Sequence, residues 1–173
     1  MPLLKFINGL IAFFGRISSG CLFVMMALTT ILVCLRQWAG FNAVALQELV
    51  IYLHGFAFLL AMSLTLQHDQ HVRVDVIYQH LAPRTKHWIN LTGFIGFFFP
   101  FVVFMMVTSW SFFWESWLMR ESSHEAGGLP FVYGLKGAIF LGSCLLALQG
   151  LVIAITIAKQ TVCLPVNDLN TPV

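Results

Sequence analysis

The amino-acid sequence predicts an all-α integral membrane protein with four transmembrane helices and short interfacial amphipathic helices. Hydrophobic residues make up 59% of the 173 residues and charged residues only 9%, whereas a soluble domain carries about 25% charged residues on a surface that water must wet. Four apolar runs are also long enough to cross the hydrocarbon core, which takes roughly 20 residues of helix. At this length we expect a single membrane domain, residues 1–173.

The four predicted spans are the longest apolar runs, and they cover residues 17–35, 46–66, 88–110 and 132–158. Pro100 lies inside the third span, where its missing N–H frees a backbone carbonyl group and is expected to kink the helix. Lys159 ends the fourth span and leaves a short C-terminal tail at residues 159–173.

Two shorter segments beside the spans carry apolar residues at helical spacing. In residues 72–83, the side chains of Val76, Ile77 and Leu81 form such a face, which predicts a helix lying in the membrane interface. Residues 2–14 show a similar pattern and are predicted to form a second interfacial helix.

Lysine and arginine are distributed unequally between the two ends of the predicted spans. Six of them fall on the side of the amino terminus and three on the opposite side. Cytoplasmic loops carry the excess of positive charge in membrane proteins. The distribution therefore places both termini and the loop after the second span in the cytoplasm. The net charge of +2 does not indicate a nucleic-acid partner.

The fourth span has features of a helix that packs closely against another helix. Ser143, Ala147, Gly150 and Ala154 place small side chains on one stripe, and small residues let two helix backbones approach each other. Gln149 lies in the same span, where a buried amide needs a hydrogen-bond partner. Whether the neighbouring helix belongs to this chain or to another subunit is left open by the sequence.

Few residues in the spans have the chemistry of a cofactor site. His54 is well inside a span, but no second histidine lies at a matching depth to complete a bis-histidine haem site. We therefore predict a hydrogen-bonded structural role for His54. The pair His68 and His71 has the spacing of metal ligands, but polar residues are expected where a span leaves the membrane.

The sequence also lacks the motifs of the common catalytic sites. It contains no G-x-S-x-G, no H-E-x-x-H and no phosphate-binding glycine loop. The four cysteines lie in apolar runs or in the tail, so the chain does not fit a thiol oxidant with reactive cysteines in its outer loops. We predict no enzymatic activity, no catalytic residue, and no cofactor or metal on this chain.

Several short motifs nevertheless follow one another in a recognisable order. They are Gln47-Glu48-Leu49, His71-Val72-Arg73-Val74-Asp75, the loop sequence from Glu121 through Gly127-Gly128 to Pro130, Lys136, and Gln149-Gly150. Together they resemble the DctQ-type small permease, the small membrane subunit of tripartite ATP-independent periplasmic (TRAP) transporters. The resemblance extends from the first span to Lys159.

This resemblance implies a role in transport rather than in catalysis. Such a subunit pairs with a large multi-span membrane subunit, which holds the substrate and sodium sites and works as an elevator. A periplasmic binding protein delivers the substrate, usually an organic acid with a carboxylate or sulfonate group. The small subunit braces the scaffold among the lipids of the bacterial inner membrane.

We take as candidate structural or partner-interface residues Arg36, Glu48, His71, Arg73, Asp75, Glu121, Gly127, Gly128, Pro130, Lys136, Gln149 and Gly150. Glu48, with Arg36 as its candidate partner, is expected to hold the start of the second span. The polar turn that contains Arg73 is expected to fix how that span meets the interfacial helix.

The loop between the third and fourth spans is expected to face the periplasm, where it can meet the binding protein. Gly127 and Gly128 allow a tight turn there, and Pro130 suits the start of the next helix. An ordinary charge at a helix end would place Glu48 and Glu121 at the interface equally well.

Two other functions remain open from the sequence. The first is a membrane anchor of a redox enzyme that binds quinone or haem, against which the lack of a second buried histidine counts. The second is a free-standing homo-oligomeric membrane protein such as a small channel. Channels usually have a polar stripe along one span, and here the polar residues in the spans are isolated.

Overall fold

The computed structural model describes residues 2–40, 43–68 and 83–163, and within these ranges the chain forms helices and no strand. The helices are α1 (Pro2–Ala39), α2 (Val44–Gln67), α3 (Pro83–Gly93), α4 (Phe99–Leu118) and α5 (Val132–Cys163), with a π-helical segment at Phe94–Phe98 between α3 and α4. Four helical stretches are long and apolar enough to cross a membrane. The predicted all-α fold class with four transmembrane helices is confirmed.

The first helix differs from its prediction, because α1 runs without interruption through all 38 residues of Pro2–Ala39. Residues 2–14 are therefore not a separate interfacial helix. Arg16 does not break the helix, since its side chain is exposed. Just before it, Ile11 is fully buried and Gly15 faces the side chain of Leu64. At 1.5 Å per residue, α1 is about 57 Å long and extends beyond a 30 Å hydrocarbon core.

The third span is also longer than predicted, and the helix that contains the fourth span continues beyond the predicted end of that span. The third continues through α4 to Leu118 rather than ending at residue 110, and α5 continues past Lys159 to Cys163. Hydropathy falls where a helix leaves the hydrocarbon, but the backbone hydrogen bonds of the helix do not need lipid to persist. Of the interfacial segment predicted at 72–83, residues 72–82 lie outside the described residues, as does the tail beyond residue 163, and Pro83 is the first residue of α3.

A π-helical segment lies in the helix just before Pro100, whereas the kink predicted at Pro100 stays a prediction. Pro100 has no N–H to donate to the carbonyl group of Gly96, four residues earlier. In the turn before it, the N–H of Phe99 donates to the carbonyl oxygen of Phe94, five residues back. π-Helical hydrogen bonding is rare in proteins and occurs mostly as a single wide turn of this kind within an α-helix.

Helix α5 lies at the centre of the molecule. It packs against α2 on one side and α4 on the other, while α1 packs along α2 and touches α5. Gly142 is so close to α2 that a Cβ atom there would lie 3.0 Å from the carbonyl oxygen of Leu59, and Gly150 faces the ring of Phe98. Ser143 is buried. The small-residue stripe thus serves helix packing within this chain.

A larger side chain at Gly142 should loosen the contact between α2 and α5. We expect Gly142→Leu to lower the thermal midpoint of the detergent-purified protein, because overpacking against a helix backbone costs about 1–3 kcal/mol. Gly96→Leu is the matched control, since no atom lies within 4 Å of a Cβ built there. Equal midpoints for the two variants would contradict the close contact.

Candidate functional site

The carboxylate of Glu48 ties the first turns of α2 to the loop at residues 119–131. It accepts a short hydrogen bond from the hydroxyl group of Ser123. It also accepts a hydrogen bond of 2.6 Å from the backbone N–H of Leu129. The partners are 75 and 81 residues away along the chain, so this one side chain joins two distant segments at the same end of the helices.

The loop is also closed on itself. The N–H of Ser123 donates to the carbonyl oxygen of Leu129 at 3.0 Å, and the N–H of Gly128 donates to that of Glu125 at 3.0 Å. Gly127 has a φ of +79°, a conformation that favours glycine. At Gly128 an added Cβ atom would lie 2.8 Å from Oε1 of Glu48, so the absence of a side chain lets the loop approach that carboxylate.

A second carboxylate, that of Glu121, connects the end of α4 to the start of α5. Its Oε2 atom lies 2.5 Å from Nζ of Lys136 and accepts a 2.5 Å hydrogen bond from the hydroxyl group of Ser116. These bonds from Lys136 and Ser116 lower the pKa of Glu121 below its usual range. We call the contacts of Glu48 and Glu121 the loop network.

Aromatic rings surround the loop network at this end of α4 and α5. Lys136 Nζ lies 4.0 Å from the centre of the Phe112 ring. The ring of Trp117 meets that of Tyr133 edge to face at 5.1 Å, and Phe131 contacts Tyr133 at 4.9 Å. Amphipathic rings are typical of the headgroup zone of a membrane.

The predicted pairing of Glu48 with Arg36 is wrong. Within the described part of the chain no ion pair joins them, because the carboxylate is turned toward the loop. The Arg36 side chain is exposed in the last turn of α1 and borders a groove between α1 and α2. Pro130 is exposed and stands two residues before the start of α5.

The structure places Gln149 and Gly150 away from the loop network, in the interior beside the π-helical segment. Gln149 is 2% exposed, yet its Oε1 atom has no hydrogen-bond partner among the described residues. The predicted partner of this amide is therefore not found there. His71, Arg73 and Asp75 lie outside the described residues.

His54 also differs from its prediction. Its side chain is exposed on α2, and no hydrogen bond to it is found in the described ranges. The neighbouring positions of the same helix face, Ile51 and Phe58, are exposed as well, because α1 and α5 pack against the other faces of α2. A structural histidine bonded within this chain is therefore not observed.

Sequence reasoning missed Ser116, Ser123 and the N–H of Leu129 as partners of the two carboxylates. Ser123 stands in a polar run of the loop, but neither its spacing nor its residue type indicates contact with α2. Both carboxylates are occupied as hydrogen-bond acceptors, which is an arrangement that holds elements together. In the described ranges no group of three or more histidine, cysteine or acidic side chains is placed to hold a metal ion.

Replacing the carboxylate of Glu48 should loosen the loop. We expect Glu48→Gln to increase amide hydrogen exchange across residues 119–131 by about tenfold or more, because glutamine has one acceptor oxygen and its amide nitrogen cannot accept the second of the two bonds that the carboxylate accepts. Mass spectrometry of peptic fragments measures this rate. Glu115→Gln, which removes an exposed carboxylate at the same end of α4, should leave the loop unchanged; a similar increase in both variants would contradict the role of Glu48.

The Glu121–Lys136 pair should make stability depend on pH. A carboxyl group whose pKa is lowered by folding stabilises the folded state at neutral pH, and this contribution is lost as the pH falls through the lowered pKa. We expect Lys136→Gln to lower the thermal midpoint by a few degrees at pH 7. The difference from the wild type should begin to shrink as the pH falls below the ordinary pKa of glutamate, and it should close only below the lowered pKa of Glu121.

Lys5→Gln removes an exposed lysine from α1 and is the control for a change in net charge. It should show no such pH-dependent difference. A difference between Lys136→Gln and the wild type that stays the same as the pH falls through the lowered pKa of Glu121 would contradict the ion pair as its cause.

Comparison with known proteins assigns the chain to a family. Residues 25–160 match the model of the DctQ component of tripartite ATP-independent periplasmic transporters, from the middle of α1 to near the end of α5. The whole loop network lies inside this range. No curated protein and no solved structure matches the chain. The chain belongs to the DctQ component family of the tripartite ATP-independent periplasmic transporters.

Proposed function

We propose that this chain is the small scaffold subunit of a secondary-active, sodium-coupled TRAP transporter that takes up an organic acid. The match of residues 25–160 to the DctQ component family is the observation that carries this proposal. In the proposed transporter, a large elevator-type membrane subunit binds the substrate and the sodium ions, and a periplasmic binding protein delivers a carboxylate or sulfonate. The small subunit itself carries no catalytic site or cofactor.

The arrangement of the helices supports a scaffold role. The third span, formed by α3, the π-helical segment and α4, has most of its side chains exposed, and α1 and α2 also present apolar faces outward. A layer of helices with large exposed apolar faces suits a body that enlarges the membrane-embedded area of a partner.

His54 supports a protein partner rather than lipid alone on one of these faces. It is exposed on α2 about ten residues from the start of that helix, which is close to the middle of a span. Polar and ionisable side chains in a span almost always face other protein or a water-filled cavity, because contact with hydrocarbon is costly. The face of α2 that carries His54 and Phe58 is thus a candidate contact with the large subunit.

In the proposed location, the bacterial inner membrane, the charge distribution supports an orientation with both termini in the cytoplasm. In this orientation the loop network faces the periplasm, where the binding protein docks. Ser122 is exposed in the loop and takes no part in the network. A cysteine at this position, in a background without native cysteines, should react with an impermeant reagent added to intact cells, and a cysteine at Lys5 should not.

The proposal predicts a large membrane partner. We expect this chain, tagged at its carboxyl terminus and purified from its native membrane in mild detergent, to carry a multi-span subunit in near-stoichiometric amount. Mass spectrometry identifies the partner, and reconstitution of the pair with its binding protein should give organic-acid uptake driven by a sodium gradient. Purification of the chain alone, or with soluble redox subunits, would contradict the proposal.

His54→Leu refines the same experiment. The substitution should lower the amount of the large subunit recovered, because it removes the polar contact that the His54 side chain makes with that subunit in the membrane. His124→Leu, which removes an exposed histidine from the loop, is the control and should retain the large subunit. Equal recovery in both variants would place the contact on another face.

A further inference from the structure

A groove of about 300 Å³ runs between α1 and α2 near the end where the loop lies. Its sides are formed mainly by aliphatic side chains, among them Val33 and Ile51, and Arg36 and Gln47 border it toward the ends of the two helices. This volume is at the lower limit of sites that take a small molecule. The two helices pack directly on each other, so the groove is a cleft between their side chains in which an extended acyl chain can lie.

The inner surface of the groove is apolar and suits an apolar occupant. Among the polar residues that line the groove, Thr29 lies deepest, furthest from the C-terminal end of α1. Its hydroxyl group donates to the carbonyl oxygen of Met25 at 2.7 Å. A threonine that bonds within its own helix has no need of a polar ligand. Apart from this satisfied hydroxyl, the deeper part of the groove offers hydrocarbon surface, and Val33 and Ile51 are strongly exposed there.

The end of the groove at Arg36 is cationic and suits an anion. Arg36 is exposed and has no ion pair with any described residue, because the nearby acidic residue of α2, Glu48, is taken by the loop network. A guanidinium group binds phosphate oxygens with two parallel hydrogen bonds. At the edge of a bilayer an exposed arginine without a protein partner is best satisfied by such an anion.

The position of Arg36 in the membrane matches that of lipid phosphates. It follows Arg16 by 20 residues of unbroken helix, which is about 30 Å, the thickness of the hydrocarbon core. The two arginines therefore mark the two edges of the core along α1. Trp38, 85% exposed and two residues beyond Arg36, is a side chain typical of the headgroup zone.

We propose that the groove between α1 and α2 is a binding site for one phospholipid, whose phosphate group is held by Arg36 and whose acyl chain lies between Val33 and Ile51. The lipid satisfies the arginine and fills the groove at once, which neither a free phosphate ion nor an uncharged hydrocarbon does. The site lies within the chain itself and does not depend on the identity of the transported substrate or of the large subunit.

Native mass spectrometry of the full chain, purified with whatever membrane subunits accompany it and then stripped of lipid, tests the site. With added phosphatidylglycerol as the probe, we expect one tightly bound lipid in the wild type and binding weaker by about tenfold or more in Arg36→Ala. Arg36→Lys should fall between the two, because an ammonium group keeps the charge but loses the paired hydrogen bonds. Soluble glycerol phosphate should not displace the lipid.

Two further variants separate the site from general effects. Val33→Trp fills the groove but keeps Arg36, and it should weaken lipid binding as well. Arg16→Ala removes an exposed arginine from the other end of the same span and should bind as the wild type does. Equal losses in Arg16→Ala and Arg36→Ala, or unchanged binding in Arg36→Ala, would overturn the proposal.

Two other occupants are distinguished by the same experiment. Displacement of the bound lipid by glycerol phosphate would indicate a simple anion site and would overturn the role of the groove. Loss of a co-purified membrane subunit from Arg36→Ala without any change in lipid binding would assign the arginine to a carboxylate of that partner, which also overturns the lipid site.

Discussion

The close approach of α2 and α5 is the contact on which the rest of the molecule depends. Gly142 of α5 has no side chain to hold the two helices apart, and a Cβ atom there would lie 3.0 Å from the carbonyl oxygen of Leu59 on α2. In a membrane there is little hydrophobic gain from pairing two apolar helices, so packing distance largely decides which helices associate. Helix α1 reaches the rest of the protein mainly through α2, and the third span reaches it mainly through α5.

The loop network lies at one end of this same helix pair and reinforces it with polar contacts. Glu48 holds the loop onto α2, while Glu121 and Lys136 hold the beginning of α5 to the end of α4. In the headgroup zone such contacts face competition from water, which makes single ion pairs weak. Here each carboxylate is held by two donors, and the loop is folded around them, so that the network defines one arrangement of the three helices.

The outward faces of the molecule are as informative as its interior. The exposed His54, the groove beside Arg36 and the largely exposed third span are all surfaces on which other molecules can bind. They are consistent with a body that is completed by other molecules, which agrees with its family of multi-component transporters. The exposed histidine suits a protein neighbour, whereas the groove with its terminal cation suits a phospholipid.

Much of this architecture could be predicted from the sequence, because membrane insertion depends on local hydropathy. The number of spans, their approximate centres, the stripe of small residues on α5 and the membership of the family are all properties of short segments. The ends of the helices could not be predicted in this way. Backbone hydrogen bonds continue where hydropathy falls, as in the uninterrupted α1 and in the extension of α4 to Leu118.

Only the tertiary structure decided the partners of the polar residues. From the sequence, Arg36 was a reasonable partner for Glu48, but the carboxylate bonds to Ser123 and Leu129, which are 75 and 81 residues away. The tertiary structure likewise places His54 on an outer face, and it buries Gln149 with its Oε1 atom unpartnered among the described residues. Hydropathy depends on the residues of each segment alone, whereas a hydrogen bond between segments depends on how the helices are rotated and packed. For this reason the sequence by itself determined the spans, and only the tertiary structure decided their polar contacts.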